Sequence, residues 1–163
     1  MNVALELQKF LKKKLDKKKI TRDDFCKKCL IRNSTASRLI NASIINPKFM
    51  TLVKIADFFN VAIDEIIGRK KYLNVNKTEY FFIKLSQNDI SSNLKNYLTM
   101  SLEECGINAY KLEKLSGLGN STIFNFLNGN KNVQIMSSHS IITIANYFSI
   151  SVDDMIGRNE IKK

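Results

Sequence analysis

The chain has 163 residues, 44% hydrophobic and 25% charged, with a formal net charge of +11. That apolar share is enough for a packed core and excludes a disordered polyelectrolyte. No apolar run approaches the ~20 residues of a membrane span, no signal-peptide core follows Met1, and three cysteines without an export signal set a reduced, cytoplasmic compartment as the expectation.

In chain order, Val3, Leu7, Phe10 and Leu11 recur at three- and four-residue spacing, which predicts a helix over about 3–17. Thr21 is a suitable N-cap, and Asp23 and Asp24 follow in the first turn, where the helix dipole favours acids; the second helix is expected over 22–29 with Phe25 and Cys26 inward. Leu30, Ile31 and Arg32 form a turn, and a third helix follows over about 33–41 with Ala36, Leu39 and Ile40 packing. Asn46-Pro47 marks a loop. A fourth helix over about 48–59 turns Leu52, Ile55, Ala56 and Phe59 inward, Asn60 ends it in a left-handed conformation, and a fifth over 62–67 stops at Gly68. Residues 70–89 read as a linker too apolar for a free tether. Tyr80, Phe81, Phe82, Ile83 and Leu85 fit an extra helix, an extended strand or a joining surface, and periodicity does not choose among them. Further helices are expected near 90–104, 108–116, 120–128, 138–148 and 151–156. Gly117 sits in the turn after the second of these, Gly129 closes the third, and Ser151 with Asp154 forms a capping box. Residues 159–163 are left as a tail.

The second series repeats the first. TLVKIADFFNVAIDEIIGR at 51–69 and SIITIANYFSISVDDMIGR at 140–158 share seven of 19 positions, Asp64/Asp153 and Arg69/Arg158 among them. Upstream, Asn33-Ser34-Thr35 recurs as Asn120-Ser121-Thr122. The offset is 87 upstream and 89 downstream, so the later copy carries two extra residues around 130–137. A repeat of this length sets the architecture: two copies, 1–69 and 90–158, each of a size for one small helical domain. The charge is unequal between them. Residues 1–75 hold 17 Lys+Arg against 7 Asp+Glu, a net +10, while 76–163 hold 9 against 8, a net +1. A basic domain suits contact with a polyanion.

Five short helices with a tight turn between the second and third resemble the helix-turn-helix domain of phage Cro/CI-type repressors, the XRE family. The residues that carry the resemblance are LEKLSGLGNSTI at 112–123 with Asn128-Gly129-Asn130-Lys131 in the second copy, and FCKKCLIRNSTA at 25–36 in the first. The IADFFNVAIDEII and IANYFSISVDDMI tails add to it. The departures are Leu30 and Ala42 at glycine positions of the first copy, and Glu113 and Phe124 at small and polar positions of the second. The resemblance implies an all-α fold, two tandem five-helix lambda-repressor-like helix-turn-helix domains, and recognition helices at about 33–41 and 120–128 that enter the major groove of double-stranded DNA. It implies Asn33, Ser34 and Arg38 as the groove-facing set of the first copy, Arg38 suited to guanine and Asn33 to adenine, with Arg32 just before the helix. The matching set is Asn120, Ser121, Phe124 and Asn125. Phe124 has two readings, contact with a thymine methyl or contact between the copies. Lys17, Lys18 and Lys19 precede the second helix, which Arg22 opens, and form a candidate phosphate clamp; Asn41, Asn128 and Lys131 are further phosphate candidates.

The expected function is a sequence-specific transcription regulator, a repressor, acting at the nucleoid. The alternative is one DNA-binding domain followed by a degenerate copy that serves as a protein-interaction module, antitoxin-like or anti-repressor, and the near-neutral charge of the second copy fits that. A homodimer or protein contact through 78–85 or through the second copy is a candidate. No enzyme, cofactor or metal is expected. Cys26 and Cys29 form a C-x-x-C, but a zinc site wants four ligands, and Cys26 falls where the family places a small core residue. One histidine and no nucleophile–base pair leave little basis for catalysis.

Overall fold

The computed structural model describes residues 2–73, 80–129 and 135–161. It is mostly helical and divides into two compact units, Met1–Asn74 and Val75–Lys163.

Unit 1 is built from α1 (Val3–Lys18), α2 (Arg22–Cys29), α3 (Asn33–Ile40), α4 (Phe49–Phe59) and α5 (Ile63–Ile66), followed by a 3-10 turn at Lys70–Tyr72. α1 and α2 begin at side-chain caps. Asn2 accepts the Leu5 amide at 3.2 Å, and Thr21 accepts that of Asp24 at 3.2 Å. Ala4, Leu7, Phe10, Leu11 and Leu15 line the buried face of α1. Phe10 meets Phe59 edge-on with ring centres 5.4 Å apart, and Phe25 stacks on Phe59 at 6.1 Å, so the core of unit 1 is aromatic at its centre.

Unit 2 is built from α6 (Gln87–Glu104), α7 (Ala109–Ser116), α8 (Thr122–Leu127), α9 (Ser138–Tyr147) and α10 (Val152–Met155), and it adds two strands, β1 (Tyr80–Phe82) and β2 (Asn159–Ile161). Asn108 caps α7 through the Lys111 amide at 2.9 Å. Ser151 caps α10 through that of Asp154 at 2.9 Å, and its hydroxyl donates to Asp154 Oδ2. A complete reciprocal capping box opens α6 at Ser86 and Asp89. Those hydrogen bonds hold the Asp89 carboxyl below the usual range.

The ribbon adds two short strands to the helices, and for Tyr80–Phe82 the strand is one of the three readings the sequence leaves open. β1 and β2 pair antiparallel with Tyr80 opposite Ile161 and Phe82 opposite Asn159. The segment expected as linker thus divides: Lys70–Tyr72 closes unit 1, and Tyr80–Phe82 is a strand whose partner is the segment expected as tail. Phe82 covers the guanidinium of Arg158, 4.5 Å from ring centre to Cζ, and the Ile83 amide donates to the Arg158 carbonyl at 3.0 Å.

The backbone repeats across the units at its tightest points. Left-handed residues fall at Lys19 and Gly106, Leu30 and Gly117, Ala42 and Gly129, Asn60 and Ser149, and Gly68 and Gly157. At Gly68 a Cβ would lie 2.7 Å from Glu6 Cγ, and at Gly157 2.8 Å from Asn93 Nδ2, so the chain passes against the first helix of its unit at both places. The repeated Asp and Arg identities have a structural meaning. Asp64 pairs with Arg69 and Asp153 with Arg158, each ion pair fully or almost fully buried, the second at 2.6 Å.

Candidate nucleic-acid interface

In unit 1 the run Lys17–Lys19 ends α1. Lys19 takes φ 51, and its amide turns back onto the carbonyls of Leu15 and Asp16, so the chain reverses into Thr21 and α2 begins immediately after the lysines. Lys17, Lys18, Lys19 and Arg22 are all exposed around the start of α2, whose first turn also carries Asp23 and Asp24 and whose Asp24 amide is already capped by Thr21. The Lys18 ammonium lies 5.7 Å from the Phe59 ring centre; its stem covers the core edge while its charge stays at the surface.

α3 buries Ala36 and Leu39 and leaves Asn33, Ser34, Arg38 and Asn41 exposed. Ser34 and Arg38, four apart, share one helical face, and Asn41 continues it. Two long side chains hold the helix in place. Gln8 of α1 donates to the Ile40 carbonyl at 2.9 Å, and Lys54 of α4 donates to the Leu30 carbonyl in the preceding turn at 3.2 Å. Neither was singled out in the sequence, where a polar residue between apolar ones carries no sign of its partner. Arg32 precedes α3 and is exposed, and no side chain caps the helix.

Unit 2 differs at the same place. α8 starts at Thr122, not at 120: Asn120 lies in the turn, and Ser121 has φ 63, outside the helix. Here Glu113 of α7, 1% exposed, accepts the amides of Ser121 at 2.8 Å, Ile123 at 2.6 Å and Phe124 at 3.2 Å through its carboxylate. The sequence marks Glu113 as a departure from the expected small residue, but its capping role appears only in three dimensions. Asn120, Ser121, Asn125 and Asn128 are exposed, Phe124 is 57% exposed, and the Asn128 side-chain Nδ2 donates to the Phe124 carbonyl at 2.8 Å at the end of the helix. Lys131 lies outside the described residues, as do Thr78 and Glu79 of the 78–85 segment, in which Phe81 is exposed and Phe82 half-buried.

Cys26 and Cys29 are buried. Burial pushes both thiols up, Cys29 to about 12, so neither forms a thiolate near neutral pH. Among the described residues no group of His, Cys, Asp and Glu is arranged to hold a metal ion, and no helix is long and apolar enough to cross a membrane.

A basic helix N-terminus beside a polar, exposed helix set across a tight turn defines a helix-turn-helix protein, the class that lays its second helix into a DNA groove. Residues 11–66, from within α1 through α5, match the helix-turn-helix family. Over 77 residues the chain is 36% identical to an uncharacterized HTH-type transcriptional regulator of Rickettsia prowazekii (strain Madrid E), covering 45% of this chain and 84% of that protein. Over 73 residues it is 37% identical to a second uncharacterized HTH-type transcriptional regulator, from Rickettsia conorii (strain ATCC VR-613 / Malish 7), covering 43% of this chain and 67% of that protein. No solved structure gives a significant match. The chain belongs to the helix-turn-helix family of DNA-binding transcriptional regulators.

Proposed function

We propose that the chain is a sequence-specific repressor that reads duplex DNA with two helix-turn-helix units in tandem. The observation that carries the reading is unit 1: α3 exposes Asn33, Ser34 and Arg38 next to a run of three lysines and Arg22 at the start of α2. Arg38 and Asn33 suit base edges, with Ser34 beside them; Lys17, Lys18, Lys19, Arg22 and Asn41 suit phosphates, and Arg32 reaches either. That unit 2 is a second copy is supported by the recurrence of five left-handed positions and of the buried Asp–Arg pair. Its matching set is Asn120, Ser121, Phe124 and Asn125, with Asn128 suited to phosphate, and the boundaries of the copies are 1–69 and 90–158 extended by the ribbon. Repression follows from occupying DNA that polymerase needs, in the cytoplasm at the nucleoid. Catalysis has no part in such a role. A second reading keeps unit 2 as a protein-contact module, which the exposed Tyr110, Leu115 and Phe124 favour.

Gel-shift titrations across salt test this. About six phosphate contacts give a log–log slope near −5. Arg38→Ala is expected to cost about 1–3 kcal/mol on the preferred site and to relax specificity at one base pair, whereas Lys18→Ala weakens all sequences alike and flattens the slope. Equal losses on specific and random DNA for both variants would remove α3 from the groove. No binding at low salt would sink the proposal.

A further inference from the structure

α3 and α8 occupy equivalent places in their units, yet they present different chemistry, and the difference begins at Glu113. A carboxylate buried against three amides at a helix start makes charge-assisted hydrogen bonds and sits in the favourable end of the dipole. The equivalent residue of unit 1, Cys26, has no acceptor of this kind, and α3 begins without a side-chain cap. Two consequences follow for unit 2. With Ser121 at φ 63 and Asn120 in the turn, these two lie outside the helix, whereas Asn33 and Ser34 are the first two residues of α3. The amides of Ile123 and Phe124 in the first turn of α8 are already satisfied from within the protein. What remains for a partner is the outer face: Phe124, 57% exposed, and Asn125 beside it, opposite the buried Ile123 and Phe126. Residues 122–127 contain no lysine or arginine, and Asn125 stands where unit 1 has Arg38.

Base-edge chemistry turns that surface into a preference. Guanine offers two acceptors and is best met by a forked cation, which α8 lacks. Adenine offers a donor beside an acceptor, which a carboxamide matches, and thymine alone carries a methyl group that an apolar ring can cover. We infer that α8 reads A·T pairs, Asn125 on adenine and Phe124 on the thymine methyl, with Glu113 as the positioning residue that fixes where the helix starts. This rests on unit 2 facing DNA as proposed above. The operator is then chemically lopsided, a guanine-containing half for Arg38 and an A·T half for α8.

The test uses the full chain and a duplex selected from random sequence, with each thymine replaced singly by deoxyuridine, which differs by the methyl group. Replacement at one or two thymines in the half-site away from the guanine contact is expected to lower affinity about fourfold per position, the worth of one buried methylene-sized group. With Phe124→Ser, the residue type of the equivalent Ser37, affinity for the thymine duplex should fall to about that of the deoxyuridine duplex, and the replacement should then have no further effect. Glu113→Gln, which keeps one acceptor oxygen, should retain the preference better than Glu113→Cys. In the Cys variant the Ser121, Ile123 and Phe124 amides should exchange with solvent faster while Leu112 stays protected. A second half-site that requires guanine, or that ignores every deoxyuridine, overturns the inference and leaves the tandem reading intact. Protection of one half-site alone, unchanged by Phe124→Ser and Asn125→Ala, overturns the tandem reading itself and gives the Phe124 face to a protein partner.

Discussion

Leu30 closes α2 at φ 52 and ψ 48 with 78% of its surface in solvent. The left-handed region crowds a Cβ against the neighbouring carbonyl, and a side chain so exposed has little packing to offset the cost. Gly117 takes the same conformation in unit 2 without that crowding. Leu30→Gly is therefore expected to stabilise unit 1 by about 1 kcal/mol, after the entropy that glycine returns to the unfolded chain. Leu30→Ala, which keeps the Cβ, should change little. Calorimetry of the two variants checks this, and a lower melting temperature for Leu30→Gly would show that the exposed leucine contributes contacts worth more than the strain. The sequence shows the absent glycine plainly. What it does not show is that the chain keeps the left-handed bend regardless, because the Ile31 amide must reach the Cys26 carbonyl to end the helix.

The last short helix of each unit carries the buried ion pair. Arg158 and Asp153 are 0% and 1% exposed, joined at 2.6 Å, with Phe82 over the guanidinium. Removing one partner strands the other's charge away from water, so Asp153→Ala is expected to cost about 3–5 kcal/mol, while replacing both residues with apolar ones of similar volume costs far less. Urea melts of the single and double variants separate the two cases; equal losses would mean that the pair's geometry, not the orphaned charge, sets the stability. Helix positions were legible because their determinants are local: Thr21 and Ser151 announce starts, and three-to-four spacing of apolar residues marks the buried faces. The ion pairs were visible only as repeated identities. The hold of Glu113 on α8 crosses from one helix to another, and the pairing of Tyr80–Phe82 with Asn159–Ile161 spans nearly the whole of unit 2. Such non-local contacts leave no periodic trace in so short a strand.

Charge divides the whole molecule more sharply than fold does. Residues 1–75 carry +10 and 76–163 carry +1. Phosphate neutralisation supplies most nonspecific affinity, so a fragment of residues 1–75 should bind DNA on its own, and one of 76–163 at least about tenfold more weakly at low salt. Fluorescence anisotropy with a labelled random duplex measures both, and equal affinities would sever the link between charge and binding. If α8 reaches a neighbouring half-site, joining the units makes its binding intramolecular and footprints appear about one helical turn, roughly 34 Å, apart. The ribbon also sets how unit 2 bears load. The chain enters β1 at Tyr80 and leaves β2 at Ile161, and these residues face each other across the pair. Tension along the polypeptide therefore peels the strands from that end, one rung after another, instead of shearing all rungs together.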